Sequence, residues 1–168
     1  MQISVSKIFK GEGIRDRKVC DGHSYEYVYD PQGNLQEKHS GGRRLVSYDY
    51  DRMGQVTEIK DPAGVCTCYE YDILGRRSRI YNDDGLEVRY GYDALNRISR
   101  IHYGNGVETA YAYDGNGNCI RKSGEAYQNE YTYDRMNRLV GAVQDGKEER
   151  YVYDPVGNRL KETGDRLN

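Results

Sequence analysis

Seven evenly spaced copies of Tyr-x-Tyr-Asp leave this chain few ways to fold. Their aspartates stand at Asp30, Asp51, Asp72, Asp93, Asp114, Asp134 and Asp154, at intervals of 21, 21, 21, 21, 20 and 20 residues. A fixed period in this range marks a repeat array, in which each unit is one small supersecondary element that buries its face against its neighbours.

Within a unit, Tyr-x-Tyr places two large, half-polar side chains on one face of an extended strand, because the side-chain period of a strand is two. The paired tyrosines are Tyr27 and Tyr29, Tyr48 and Tyr50, Tyr69 and Tyr71, Tyr90 and Tyr92, Tyr111 and Tyr113, Tyr131 and Tyr133, and Tyr151 and Tyr153. The Asp then ends the strand, its carboxylate placed to accept backbone N–H groups just ahead, as in an Asx-turn. Three residues further on stand Gly33, Gly54, Gly75, Asn96, Gly117, Asn137 and Gly157. Only Gly or Asn occupies this slot, and these residue types tolerate positive φ most readily, so it is predicted to be left-handed and to close a hairpin loop of three to five residues.

A second strand follows, with apolar residues five and eight places after the Asp, as in Val56 and Ile59 or Ile98 and Ile101. Strict alternation puts those two places on opposite faces, so the pattern requires either a sheet buried on both sides or a bulge between them. A second turn then reverses the chain, at residues 61 to 64, 82 to 85, 104 to 106 and 144 to 146. Two strands per unit predict about fourteen in an antiparallel meander, with almost no helix.

Composition decides what supplies the burial. Ile, Leu, Val and Phe number 30 of 168 residues and 31% of the chain is charged, a balance that in an ordinary chain signals disorder. The 18 tyrosines, 14 of them in the motif, reverse that reading, since each ring buries a large area while its hydroxyl seeks a polar partner. Regularly spaced rings also suit sugars, but with so few other apolar residues the rings are read as the core.

The net charge of -2, with no basic stripe, speaks against nucleic acid as a partner. Arg76, Arg77, Arg97 and Arg138, just past the Gly or Asn slot, read as a solvated rim. No apolar run is long enough for a membrane span or a signal-peptide core, so neither is expected within these residues. Cys20, Cys66, Cys68 and Cys119 lack the paired spacing of a zinc site and read as free thiols.

Candidate chemistry is thin. Asp114-Gly115-Asn116-Gly117-Asn118 with Glu125 imitates part of a calcium loop, but Cys119 replaces the required glycine and Asp114 is already the fifth turn Asp. A ladder of seven aspartates offers one metal ligand per repeat, yet each turn supplies backbone donors to its own carboxylate, so turn capping is preferred and no metal or cofactor is expected. His23, His39 and His102 hold no repeated position, and no triad or paired acid and base is spaced for catalysis. No catalytic residue is therefore assigned.

The motif Y-x-Y-D-x-x-G-R-[apolar], with its downstream Asp61-Pro62-Ala63-Gly64 turn and 21-residue period, resembles the YD repeat of the Rhs family. That family includes bacterial polymorphic toxins, insecticidal toxin-complex shells, wall-associated repeat proteins and animal teneurins. The resemblance covers residues 25 to about 163 and implies a strip of β-hairpins that spirals into a hollow shell, often around a toxic C-terminal domain. It implies scaffold roles for the motif residues and a secreted or cell-surface setting. Within these 168 residues Asp154-Pro155-Val156-Gly157 reads as the seventh turn and not as the family's Asp-Pro-x-Gly-Leu cleavage motif, so neither self-cleavage nor toxin activity is expected of them.

The expected fold is therefore all-β, tandem YD hairpins in an open, curved antiparallel sheet, an arc of a β-shell. Residues 1–24 form a flank outside the register, 25–163 the seven repeats and 164–168 a tail. The expected function is a non-enzymatic structural module of an encapsulating shell, its partners being adjoining repeats or a toxin domain. The alternative is a carbohydrate-binding or cell-surface adhesion module, which the absence of Trp disfavours. Fourteen strands at about 4.8 Å curl at most into a barrel about 25 Å across, too narrow for a 100-residue cargo about 34 Å wide. The chain alone is thus expected to be an open arc whose end strands invite association.

Overall fold

Tyrosine-rich segments and the apolar stretch after each turn have β-favouring residues and strand length, and the turn between them joins each pair as a hairpin. The computed structural model describes residues 4–9, 14–20 and 23–164, and among them every regular element is a strand. The chain divides into two units, Met1–Glu87 and Val88–Asn168. The first holds β1 (Ser4–Phe9), β2 (Ile14–Cys20), β3 (His23–Tyr29), β4 (Leu35–Ser40), β5 (Arg43–Tyr50), β6 (Val56–Lys60), β7 (Cys66–Tyr71) and β8 (Arg77–Asn82). The second holds β9 (Glu87–Tyr92), which starts on the last residue of the first unit, then β10 (Ile98–Tyr103), β11 (Glu108–Tyr113), β12 (Cys119–Ser123), β13 (Gln128–Tyr133), β14 (Leu139–Gln144), β15 (Lys147–Tyr153) and β16 (Arg159–Gly164).

Strand order follows chain order, giving an open antiparallel sheet of tandem hairpins. Sixteen strands are described, against the roughly fourteen that two turn signals per repeat predict. The difference lies ahead of the motif, where Ser4–Phe9 pairs in continuous register with Ile14–Cys20, and Cys20 in turn opposes His23. Hairpin pairing needs only alternating β-compatible residues, so this segment extends the meander without the Tyr-x-Tyr-Asp signature.

The bulge is what reconciles places five and eight. Tyr50 pairs with Val56 and Asp49 with Glu58, so Thr57 has no opposite residue, and Val56 and Ile59 both come to lie across from the tyrosines Tyr50 and Tyr48. The same one-residue skip recurs before Tyr29, Tyr71, Tyr113, Tyr133 and Tyr153, and between Ile98 and Arg100 opposite Tyr92 and Gly91. Each repeat therefore gathers its tyrosines and both anchor positions on one face.

The opposite face is charged. Arg79 lies between Glu70 (3.2 Å) and Glu87 (3.0 Å), Glu108 takes Arg100 (3.1 Å) and His102 (3.0 Å), and Arg121 approaches Glu130 (3.4 Å). Such exposed pairs contribute little stability each; their consequence is a face that stays polar.

Among the described residues only Ala142 (2% exposed) and Thr109 (5%) are fully buried. All fourteen motif tyrosines are half-buried. Neither unit has a central core, and burial comes from each hairpin covering the flank of the next. Cys66, Cys68 and Cys119 are free thiols; the Cys20 side chain lies outside the described residues, as do those of the C-terminal tail, 165–168. No helix is long and apolar enough to cross a membrane.

Candidate functional site: turns and tyrosine clasps

Each repeat closes the same way. The Asp N–H donates to the carbonyl four residues on and its carbonyl accepts the N–H three residues on, as in Asp51 with Gln55 (2.9 Å) and Gly54 (3.1 Å). This pairing holds at all seven aspartates. One carboxylate oxygen then accepts two further backbone N–H groups, for Asp51 those of Met53 (2.8 Å) and Gln55 (2.9 Å). The third loop residue is left-handed, with φ +78° at Gly54, +63° at Asn96 and +59° at Asn137. Asp145, in the two-residue loop between β14 and β15, is also left-handed at φ +50°, a position the period did not single out.

These φ values carry a direct expectation. Asn96→Val should be less stable than Asn96→Gly by about 1 kcal/mol or more, because a β-branched side chain is strained at positive φ. Equal unfolding midpoints for the two variants in a denaturant titration would contradict the left-handed assignment.

In six of the seven repeats the second carboxylate oxygen is also taken, by the side chain four residues after the Asp. Asn34, Asn118 and Asn158 reach it through Nδ2 at 2.9 Å, and Arg76, Arg97 and Arg138 through Nε at 2.7 Å. With N–H donors on both oxygens, the carboxyls of Asp30, Asp72, Asp114 and Asp154 are held below the usual range, chiefly by the side-chain bond, and those of Asp93 and Asp134 chiefly by backbone bonds.

The sign of the pH dependence follows. A folded-state carboxyl below its unfolded value contributes in full above the ordinary aspartate range, near ~4, and the contribution is lost as pH falls through the lower folded value. Thermal midpoints should therefore hold steady from neutral pH down to about 4.5 and drop steeply below about 4. At the other end, burial pushes the hydroxyls of Tyr50, Tyr113 and Tyr133 up, so their contribution is present below about 10 and lost as pH rises beyond it. A midpoint that kept rising on acidification through pH 4 would contradict the turn chemistry.

The loop that imitates a calcium site spends its groups on its own turn and on the turn of the next repeat. Asp114 accepts from the N–H groups of Asn116 and Asn118, both of whose side-chain amides donate to Asn137 Oδ1 (3.2 and 2.9 Å). Glu125 lies beyond the far end of β12, whose length separates it from Asp114. No three His, Cys, Asp or Glu side chains converge among the described residues.

In five of the seven motifs the second tyrosine reaches backwards into the preceding repeat. Its hydroxyl donates to the carbonyl of the residue five places after the earlier Asp: Tyr50 to Leu35 (2.7 Å), Tyr71 to Val56, Tyr113 to Ile98 and Tyr153 to Leu139 (each 2.8 Å), and Tyr133 to Cys119 (3.0 Å). The acceptor sits beside the bulge, where the ladder is locally disrupted. This clasp ties hairpin to hairpin and gives each half-buried hydroxyl the partner its burial demands.

Two of the turn arginines, Arg97 and Arg138, join in, which corrects their reading as a solvated rim, whereas Arg77 is exposed. Arg97 stacks 4.5 Å from the Tyr113 ring and donates to the Asp114 carbonyl (3.1 Å), and Arg138 does the same with Tyr153 (4.7 Å) and Asp154 (3.3 Å). Their side chains are 25% and 27% exposed. In the second repeat Gln55 takes this part, donating to the Gly75 carbonyl at 2.7 Å. The available signal was the position itself, since every residue four places after a motif Asp is Asn, Gln or Arg.

Comparisons with known proteins agree with this geometry. The family model for the RHS repeat matches four overlapping stretches, 29–67, 50–86, 71–109 and 92–125. No curated protein matches the chain. Among solved structures, the crystal structures of TcdB2-TccC3-Cdc42, TcdB2-TccC3-TEV and TcdB2-TccC3 without its hypervariable C-terminal region are each similar at a TM-score of 0.73 and 16% identity. Each alignment covers 91% of this chain and 10% of the other, so the chain spans about a tenth of the length of these relatives.

Proposed function

The chain belongs to the RHS repeat family, and from that premise we propose that this structural repeat module is a length of wall in an encapsulating shell around a C-terminal toxin or effector domain, without catalytic activity of its own. The observation that carries this reading is the clasp: the motif's second-tyrosine hydroxyls and the turn arginines Arg97 and Arg138 are spent on holding one hairpin to the next, and its carboxylates on closing each turn. A wall needs that and little else. Support also comes from solved relatives of the same fold about ten times longer, one of them crystallised without a hypervariable C-terminal region. A secreted or cell-surface location accords with the same reading.

One observation favours a second reading, binding of cell-surface glycans. A cleft of about 670 Å³ in the first unit lies beside Tyr48, between the turns of Asp30 and Asp51.

The two readings separate in the longer protein that carries such an array. Limited proteolysis should leave its C-terminal domain intact for as long as the array is folded, and expose it when acid opens the turns. A C-terminal domain digested while the array persists, or glycan binding lost in Tyr48→Ala without loss of folding, would favour the adhesive reading.

A further inference from the structure

The residue four places after a motif Asp decides what lies between one turn and the next. Where it is arginine, the guanidinium fills that space: Arg97 stacks 4.5 Å from the Tyr113 ring and donates to the Asp114 carbonyl, as Arg138 does with Tyr153 and Asp154. Gln55 is long enough to reach the next turn, at the Gly75 carbonyl. Asn118 is shorter, but Asn137 meets it from the facing turn, its Oδ1 accepting the Asn118 amide at 2.9 Å.

The first repeat has none of these. Asn34 spends its amide on Asp30 (2.9 Å), and the residue equivalent to Asn137 is Gly54, which has no side chain to offer. The space is left as the cleft of about 670 Å³, lined among others by Asp30, Asn34, Tyr50, Asp51 and Gly54, a volume within the range of small-molecule sites. Its walls keep the geometry of the occupied places. The Tyr50 hydroxyl donates to the Leu35 carbonyl (2.7 Å) as that of Tyr113 does to Ile98 (2.8 Å), so the clasp holds the two rings alike. No cation among the described residues lies over Tyr50, and the Asp51 carbonyl accepts the Gly54 N–H (3.1 Å) and no other described donor. Asp51 is also the one motif aspartate whose second carboxylate oxygen accepts no hydrogen bond from a described residue, its first taking Met53 and Gln55. The charged side chains lining the cleft are Asp30, Asp49 and Asp51 against Arg52 alone.

We propose that this cleft binds a guanidinium group supplied from outside the repeat, seated where those of Arg97 and Arg138 lie in theirs. The planar cation stacks on the Tyr50 ring, donates to the Asp51 carbonyl, and has the open Asp51 oxygen and Asp30 beside it for its remaining N–H groups. Lysine, a point charge without the planar fork, fits such a seat less well, and a neutral sugar leaves the three carboxylates opposed only by Arg52. The site goes beyond both readings of the array's function and depends on neither.

The test is a nuclear magnetic resonance titration of the whole chain, following the backbone amides of Asn34, Asp51 and Gly54. The probes are acetyl-arginine-amide, its neutral isostere acetyl-citrulline-amide, and agmatine, a guanidinium without a peptide backbone. Acetyl-arginine-amide should bind about tenfold more tightly than the citrulline compound, and less tightly as salt is raised. Agmatine binding as well as acetyl-arginine-amide identifies a free guanidinium compound as the ligand; agmatine binding several-fold more weakly identifies an arginine carried on a peptide. Asn34→Arg supplies the guanidinium from within the repeat, as Arg97 does, and should abolish the response while raising the thermal midpoint. Gly54→Asn adopts the left-handed backbone that Asn137 already shows, with its Cβ 3.7 Å from Asn34 Oδ1, and should weaken binding about tenfold even if Asn34→Arg does not fold. Equal affinity for the citrulline compound, no saturable shift at the three amides, or binding that survives the substitutions in folded chain would overturn the proposal. So would a chito-oligosaccharide that binds the cleft in preference to acetyl-arginine-amide, which would favour the adhesive reading. Loss of C-terminal protection in the longer protein bears on encapsulation alone and leaves this outcome untouched.

Discussion

Tyr113→Ala should lower the stability of the second unit by about 3 kcal/mol, and Tyr113→Phe by about 1. The larger number combines removal of a half-buried ring, at the lower end of what core aromatics cost, with loss of the hydroxyl bond to the Ile98 carbonyl at 2.8 Å. The smaller isolates the hydroxyl, since the ring remains and one carbonyl beside the bulge loses its donor. Arg97 lies over the same ring at 4.5 Å, so a double-mutant cycle of Arg97→Ala with Tyr113→Ala should show coupling of about 0.5–1 kcal/mol. Chemical denaturation of the four chains measures all three quantities. A Tyr113→Phe chain as unstable as Tyr113→Ala would mean that the hydroxyl, and not the ring, holds the repeats together; a neutral Tyr113→Ala would mean that the clasp holds nothing.

Deleting residues 114–133 should leave a folded, cooperatively unfolding array, whereas deleting 114–123 should abolish the cooperative transition of the second unit. The first excision removes one whole repeat, β12 and β13, and joins Tyr113 to Asp134. The sequence across the join is again Tyr-x-Tyr-Asp, with Asn137 in the left-handed slot and Arg138 beside it, and the array is one hairpin shorter. The second excision removes a turn and one strand. Every later strand then meets its neighbour with the wrong direction or face, which misplaces each following tyrosine and Asp at once. Circular dichroism melts of the two deletions decide the matter: similar behaviour in both would show that the units do not depend on a neighbour-by-neighbour register.

What the sequence revealed of this fold was whatever is settled locally. An Asp that caps its own turn, and a Gly or Asn three places on, act within five residues, so the strand ends, loop conformations and hairpin count of the seven repeats were all readable from period and residue type. Contacts between repeats were not. The acceptor for Tyr113 lies 15 residues back and that for Arg97 17 residues ahead, and both depend on where the bulge falls. The pattern at Val56 and Ile59 demanded either a bulge or a sheet buried on both sides, and only the pairing of Tyr50 with Val56 and Asp49 with Glu58 decided between them. Hence Arg97 and Arg138 looked like surface charge although they are clamped between two repeats. The hairpin of β1 and β2 was hidden for the opposite reason, since it forms without the motif that defined the period.

Along the chain direction the array has one neighbour at each end, β2 for β1 and β15 for β16. If the repeats are a length of wall, those outer edges are where the wall continues. An experimental structure of the longer protein that contains this array tests this most directly. The account predicts that the free edges of β1 and β16 pair with further hairpins, that the tyrosine-to-carbonyl clasp recurs across both junctions, and that the resulting wall encloses the C-terminal domain. An array whose end strands stand exposed, with the C-terminal domain outside it and its tyrosine rows open to a bound ligand, would contradict the account.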